Sequence, residues 1–105
     1  MMGSANLSYT AALILQTISA GYNYGFDIMD VTSLASGTVY PALRRLEQQG
    51  LIKSRWERER AASAEQRPPR RYYGLMPQGK DALASALRRY RLLEQLSKSE
   101  PVRPR

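Results

Sequence analysis

Arg44, Arg45 and Gln48 bring two guanidinium groups and a carboxamide together within five positions. These are the groups that hydrogen-bond base edges in a DNA major groove, Arg to guanine and Gln to adenine. Just upstream, Ser36, Thr38 and Tyr40 offer hydroxyls around Gly37, a combination that lets a backbone come close to phosphates. Reaction chemistry is poorly represented. The 105-residue chain has no histidine and no cysteine, so the commonest general base, the commonest metal ligand and every Ser-His or Cys-His pairing are missing. Its nine carboxylates are scattered and form no acid/base pair. The chemistry on offer is recognition. Neither an enzyme, a metal nor a cofactor is expected.

These groups need a helix to line them up. At about 100° per residue, Val39, Leu43 and Leu46 fall on one side with Ala42 beside them. Gly37, Pro41, Arg44, Arg45 and Gln48 fall on the other, with Thr38 and Tyr40 on the flanks. Ser36 can cap the start and Gly50 can end the helix. Pro41 lacks a backbone donor, so the first turn is expected to be irregular or to begin later than Ser36. The same residues would suit an ordinary amphipathic surface helix with solvated arginines, and the stretch alone does not decide.

Its neighbours do. Tyr24, Ile28 and Val31 share a face of a second short helix, from about Tyr24 to Val31, and Thr32 to Ala35 make a turn with Leu34 tucked inward. Two short helices joined by a tight turn, the second basic outside, form a helix-turn-helix. Upstream, Ser8 to Ala20 is apolar almost all round, with Ser8 as cap and Gly21 just past the end, so it reads as the central helix.

After Gly50 the pattern alternates. Leu51 to Glu57 and Arg71 to Leu75 read as two strands of a wing, with Ile52, Ser54 and Trp56 on one face and Trp56 expected in the core beneath. Residues 58–70 read as a long, irregular and mobile connection. Arg58, Arg60, Arg67 and Arg70 on it are candidate phosphate contacts. Pro77 opens a last helix carrying the stripe Leu83, Ala86, Leu87, Tyr90 and Leu93, read as a dimerisation seam. The division that follows is a leader (1–6), a winged helix-turn-helix (7–76), a dimerisation helix (77–97) and a disordered basic tail (98–105).

All sixteen Lys and Arg residues lie from Arg44 onward. Against seven carboxylates there they leave +9, while residues 1–35 hold Asp27 and Asp30 and no cation. A basic half of this kind expects a polyanion, with nucleic acid ahead of an anionic membrane; the helix-turn-helix makes double-stranded DNA the expected partner. No apolar run is long enough to span a bilayer and no signal pattern opens the chain, which makes the cytoplasm the expected location. A winged-helix protein-interaction module is the alternative, and RNA binding ranks below it.

The order Tyr24-Gly25-Phe26-Asp27-Ile28, then Ser36 through Glu47 with its Gly-Thr-Val-Tyr-Pro block, then Gly50-Leu51-Ile52, resembles the PadR family of bacterial transcriptional regulators. Trp56-Glu57, Arg71 to Leu75 and Gly79 continue the match, which spans roughly residues 7–96. The resemblance implies a mainly α winged helix-turn-helix with a small β-hairpin. It further implies a homodimer joined through a single C-terminal helix, phosphate contact by Tyr40, and repression at an inverted-repeat operator. It leaves room for a small-molecule effector without marking a site for one. Met76 stands where the family usually has a capping Thr.

Overall fold

The computed structural model describes residues 7–98. The elements run α1 (Tyr9–Ser19), α2 (Gly25–Thr32), α3 (Ser36–Gln48), β1 (Ile52–Trp56), α4 (Glu59–Ala64), β2 (Arg71–Leu75) and α5 (Pro77–Lys98). The helices are mostly where the periodicity puts them, and their ends show why. Ser8 Oγ accepts the Ala11 N–H at 3.1 Å and caps α1. At the other end Gly21 turns left-handed, so that Gly21 N–H reaches Ile18 O and Tyr22 N–H reaches Thr17 O. Gly50 closes α3 in the same way, its N–H reaching Glu47 O and the Leu51 N–H reaching Leu46 O.

The helix-turn-helix corner is stitched by one side chain. Thr32 Oγ1 donates to Ile28 O at 2.6 Å and accepts from Leu34 N–H at 3.2 Å, across a left-handed Ser33. Leu34 turns inward and packs on the core.

The start of α3 differs from expectation. Ala35, with no side-chain acceptor, occupies the cap position, so Ser36 is the first helical residue rather than the cap. The helix is also continuous through Pro41. Proline removes the bond to the carbonyl four residues back. That carbonyl belongs to Gly37, which is exposed, so water can take up the missing bond.

α1 is the central helix, in contact with α2, α3, α5 and β2. Its Ile14 and Leu15 are fully buried, against Ile28 of α2, Val39, Leu43 and Leu46 of α3, Ile52 of β1, Tyr73 of β2 and Leu83 of α5. Each such side chain contributes about 1.5–3 kcal/mol of burial energy. The buried Thr17 hydroxyl is satisfied by Leu13 O at 2.7 Å. Val31, placed on the inner face of α2 by its spacing, is instead exposed, because α2 ends one residue later with nothing packed over it.

The two strands pair antiparallel, Ile52 with Leu75 through Trp56 with Arg71. Burial falls along β1 from Ile52 at 2% exposed to Trp56 at 64%. Trp56 is therefore not core. Alternation set its face correctly, but the core lies only under the root of the hairpin and Trp56 sits at the far end.

The connection between the strands is built rather than irregular. It contains α4, whose Ala62 is fully buried, and a left-handed Gln66 follows that helix.

α5 begins where Met76 O accepts the Lys80 N–H at 3.0 Å. Met76 offers no side-chain acceptor, and a threonine there would be worth about 1 kcal/mol. The helix continues to Lys98, so residue 98 belongs to it rather than to the tail. The expected leader 1–6 and the remainder of the expected tail lie outside the described residues.

Candidate nucleic-acid interface

α3 sets its two faces apart sharply. Val39, Ala42, Leu43 and Leu46 are each at most 3% exposed, and this anchoring fixes the rotation of the helix about its axis. Ser36, Thr38, Tyr40, Arg44, Arg45 and Gln48 all lie on the exposed side. The structure thus brings the six sequence-selected residues of this helix onto one continuous surface. Tyr40 leans across the start of α2. A Cβ added at Gly25 would lie 2.5 Å from its hydroxyl oxygen, so only glycine lets the ring settle there.

The wing is tied to α3 by a group that sequence reasoning missed. Glu47 accepts from Ser54 Oγ at 2.7 Å and from Arg71 at 3.1 Å, and Arg71 also donates to Ser54 Oγ at 2.8 and 3.0 Å. One carboxylate thereby holds both strands against α3. No local signal could have revealed it, since its partners lie 7 and 24 residues away.

The four wing arginines divide. Arg58 and Arg60 are exposed. Arg70 is half-buried, its guanidinium 4.3 Å from the centre of the Tyr24 ring. Arg67 is turned inward. Its Nη1 and Nη2 donate to the two oxygens of Glu57 at 2.5 and 2.8 Å, and its Nε reaches Glu65 at 3.2 Å. Glu57 also receives the Arg70 N–H at 3.3 Å, while its own N–H bonds to Arg70 O at 2.7 Å. Arg67 therefore fastens the loop closed.

The Arg67 hydrogen bonds hold the Glu57 carboxyl at about 2, below its ordinary 4.5, with the Arg70 N–H adding to the effect and burial opposing it. A carboxyl depressed on folding gives stability that is complete above its unfolded value and is lost as pH falls through its folded one. The stability gap between the parent and Glu57→Gln is accordingly expected to narrow between about pH 5 and about pH 2, as Glu57 becomes a neutral group like Gln. Denaturant unfolding of both proteins across that range measures the gap. A gap independent of pH would contradict the assignment.

Burial also raises the Tyr24 phenol, helped by the negative charge of Asp27, and burial raises that of Tyr73. Both remain hydroxyls at neutral pH. Among the described residues no cluster of three potential metal-ligating side chains converges, and no helix is long and apolar enough to cross a membrane.

On α5 the expected seam splits. Leu83 and Ala86 are 5% and 0% exposed and belong to the core of the protomer itself. Tyr90 meets Tyr9 of α1 edge-on at 5.3 Å and donates to Leu7 O at 3.1 Å. Leu87 is 40% exposed and Leu93 60%. Leu87, Tyr90 and Leu93 share with Tyr9 an open groove of about 540 Å³. The stripe is continuous in sequence, but α1 covers its first two members.

The family model for "Transcriptional regulator PadR-like family" matches residues 14–85 of this chain. The chain belongs to the PadR-like family. Among solved structures it is similar to a PadR family transcription regulator from hypervirulent Clostridium difficile R20291, at 30% identity and a TM-score of 0.74, over 85% of this chain and 94% of that one. A transcriptional regulator from Clostridium thermocellum is 26% identical with a TM-score of 0.67, over 84% and 85% of the two chains. A PadR family transcriptional regulator from Eggerthella lenta DSM 2243 shares the fold at 24% identity and a TM-score of 0.62, over 85% and 84%. Among curated protein sequences none matches the chain. This PadR-like protein is thus a DNA-binding transcriptional regulator, mainly helical with a two-stranded wing.

Proposed function

We propose that this protein is a sequence-specific repressor that binds an inverted-repeat operator as a homodimer. The observation that carries the reading is the two-sidedness of α3. Its inner face is locked into the core, while Arg44, Arg45 and Gln48 stand exposed beside the hydroxyls of Ser36, Thr38 and Tyr40. Such a helix enters a major groove with its arginines and glutamine at base edges. The hydroxyls meet phosphates near a helix start that no side chain caps. Arg58, Arg60 and Arg70 of the wing add charge against the neighbouring backbone, and Arg67 keeps their loop in shape.

The dimer part of the reading rests on α5. Leu87, Tyr90 and Leu93 are what remains of the seam once Leu83 and Ala86 are used internally, and Leu92 and Leu96 are 55% and 63% exposed beyond them. One domain of this size contacts few base pairs, whereas a twofold pair engages two half-sites about one helical turn apart. Repression is what the family resemblance implies for such a protein. The reading places it in the cytoplasm, where it can reach a chromosome.

Selection of bound duplexes from a random pool is expected to enrich an inverted repeat. Replacing Arg44 and Arg45 together with Ala should then weaken binding to that repeat by about 1–3 kcal/mol per lost contact, with an unchanged circular dichroism spectrum. Enrichment of no duplex, or parental affinity in the double variant, would sink the reading.

A further inference from the structure

Phe26 and Trp56 are 65% and 64% exposed, among the most exposed large apolar side chains of the protein. They lie thirty residues apart on α2 and β1, yet both line one open cleft of about 390 Å³. Tyr40 of α3 and Tyr73 of β2 line it too, so aromatic rings enter the same cleft from four elements. Arg70 and Arg71 supply its charge. Arg70 lies over the Tyr24 ring, and the Arg71 guanidinium is 5.8 Å from the Trp56 ring and 5.7 Å from that of Tyr73. Two carboxylates stand nearby, Asp27 turned to the Tyr24 hydroxyl and Glu47 to Arg71. Two exposed aromatic side chains beside two guanidinium groups ask for a partner that alternates apolar and anionic surface.

We propose that this cleft seats one strand of duplex DNA, with a deoxyribose packed on the Trp56 ring between Phe26 and Tyr40 and the flanking phosphates against Arg70 and Arg71. The inference rests on the DNA-binding reading above and assigns it a contact that the basic helix alone does not suggest. Its position argues for this occupant. Tyr40 belongs both to the outer surface of α3 and to the cleft, so a duplex lying along α3 brings its backbone to the cleft mouth. In a duplex the bases are stacked on one another, and what the backbone presents outward is sugar and phosphate in alternation. The flat apolar face of an indole complements a sugar, and the arginines complement the phosphates beside it.

Trp56 is the only tryptophan, so its emission reports on the cleft directly. The full chain is titrated with a fluorescein-labelled random-sequence duplex of about 30 base pairs, long enough for two half-sites one turn apart. Label anisotropy reads binding and Trp56 emission reads the cleft. Trp56 emission is expected to change saturably with the same Kd as the anisotropy, and acrylamide quenching of the indole should fall by about half or more in the complex. Trp56→Ala should bind random and selected duplexes about tenfold more weakly, a difference of ~1.4 kcal/mol, with an unchanged unfolding midpoint. Trp56→Phe, which keeps a ring, should stay within about threefold of the parent. Anisotropy that rises while Trp56 emission and quenching stay fixed would overturn the cleft assignment and leave the DNA-binding reading standing. Parental affinity in Trp56→Ala would do the same. Failure of the anisotropy to rise with any duplex overturns both.

Discussion

Gly79→Ala is expected to destabilise the protein by about 3 kcal/mol and to lower its melting temperature by more than about 10 °C. Gly79 lies in the first turn of α5, pressed onto the backbone of Leu51. A Cβ there would collide with the Leu51 carbonyl oxygen and lie 2.9 Å from the carbonyl carbon. Neither side can give way cheaply. Leu51 O accepts the Met76 N–H at 2.9 Å, and Leu51 N–H bonds back to Leu46 O at 3.0 Å, closing α3. The next residue, Ile52, is 2% exposed in the core. Relief would have to come from lifting the start of α5, which would pull Leu83 and Ala86 out of their packing. Gly37→Ala is the control. Nothing lies within 4 Å of a Cβ at that position, and alanine in a helix gains about 0.5–1 kcal/mol over glycine. Thermal melts of the two variants, followed at 222 nm by circular dichroism as is usual for helices, separate the cases. A Gly79→Ala melt within about 2 °C of the parent would mean that the α3–β1 corner is softer than its hydrogen bonds indicate.

Leu87→Arg is expected to abolish the proposed dimer while leaving the protomer folded. At 40% exposed, Leu87 stands at the edge of the protomer and can carry a guanidinium into solvent when the chain is alone. Across a twofold seam the same substitution places an unpaired charge in each copy, at several kcal/mol if both are buried. Leu83→Arg is the contrast. Leu83 is 5% exposed within the protomer, so its replacement should unfold the chain instead of only separating copies. Sedimentation should show the Leu87→Arg protein as a monomer with a parental circular dichroism spectrum. Its affinity for a selected inverted repeat should fall by a hundredfold or more, about 2.7 kcal/mol. Random-sequence DNA, bound by single protomers through phosphates, should suffer much less. A Leu87→Arg dimer with full operator affinity would put the interface on another surface.

The residues that decide these two results differ in how visible they are in the sequence. Helical periodicity located α1, α2 and α3 and divided the sides of α3, because α1 and α3 bury stripes that run along their length, while α2 buries Ile28 but leaves Val31 exposed. The left-handed glycines after α1 and α3 and the Ser8 cap were legible for a similar reason, since their bonds close within a few residues. The Arg71–Leu75 strand was visible in its aromatic residues, and the order of motifs identified the family.

Depth and pairing were decided by the tertiary structure alone. Trp56 alternates in phase with Ile52, but alternation reports a face and not how far the core extends beneath it. The α5 stripe is periodic throughout. Where it passes from the core of the protomer to an open surface depends on where α1 begins, at Tyr9 against Tyr90. Arg67 and Arg70 look alike on a basic loop, and only the fold turns one into Glu57 and lays the other over Tyr24. Glu47 shows nothing locally of its hold on Ser54 and Arg71. A sequence records each residue's own preferences and those of near neighbours on the same element. Contacts between residues far apart in the chain exist only once the elements have packed, and in this protein they determine which cations face outward and which apolar residues remain uncovered.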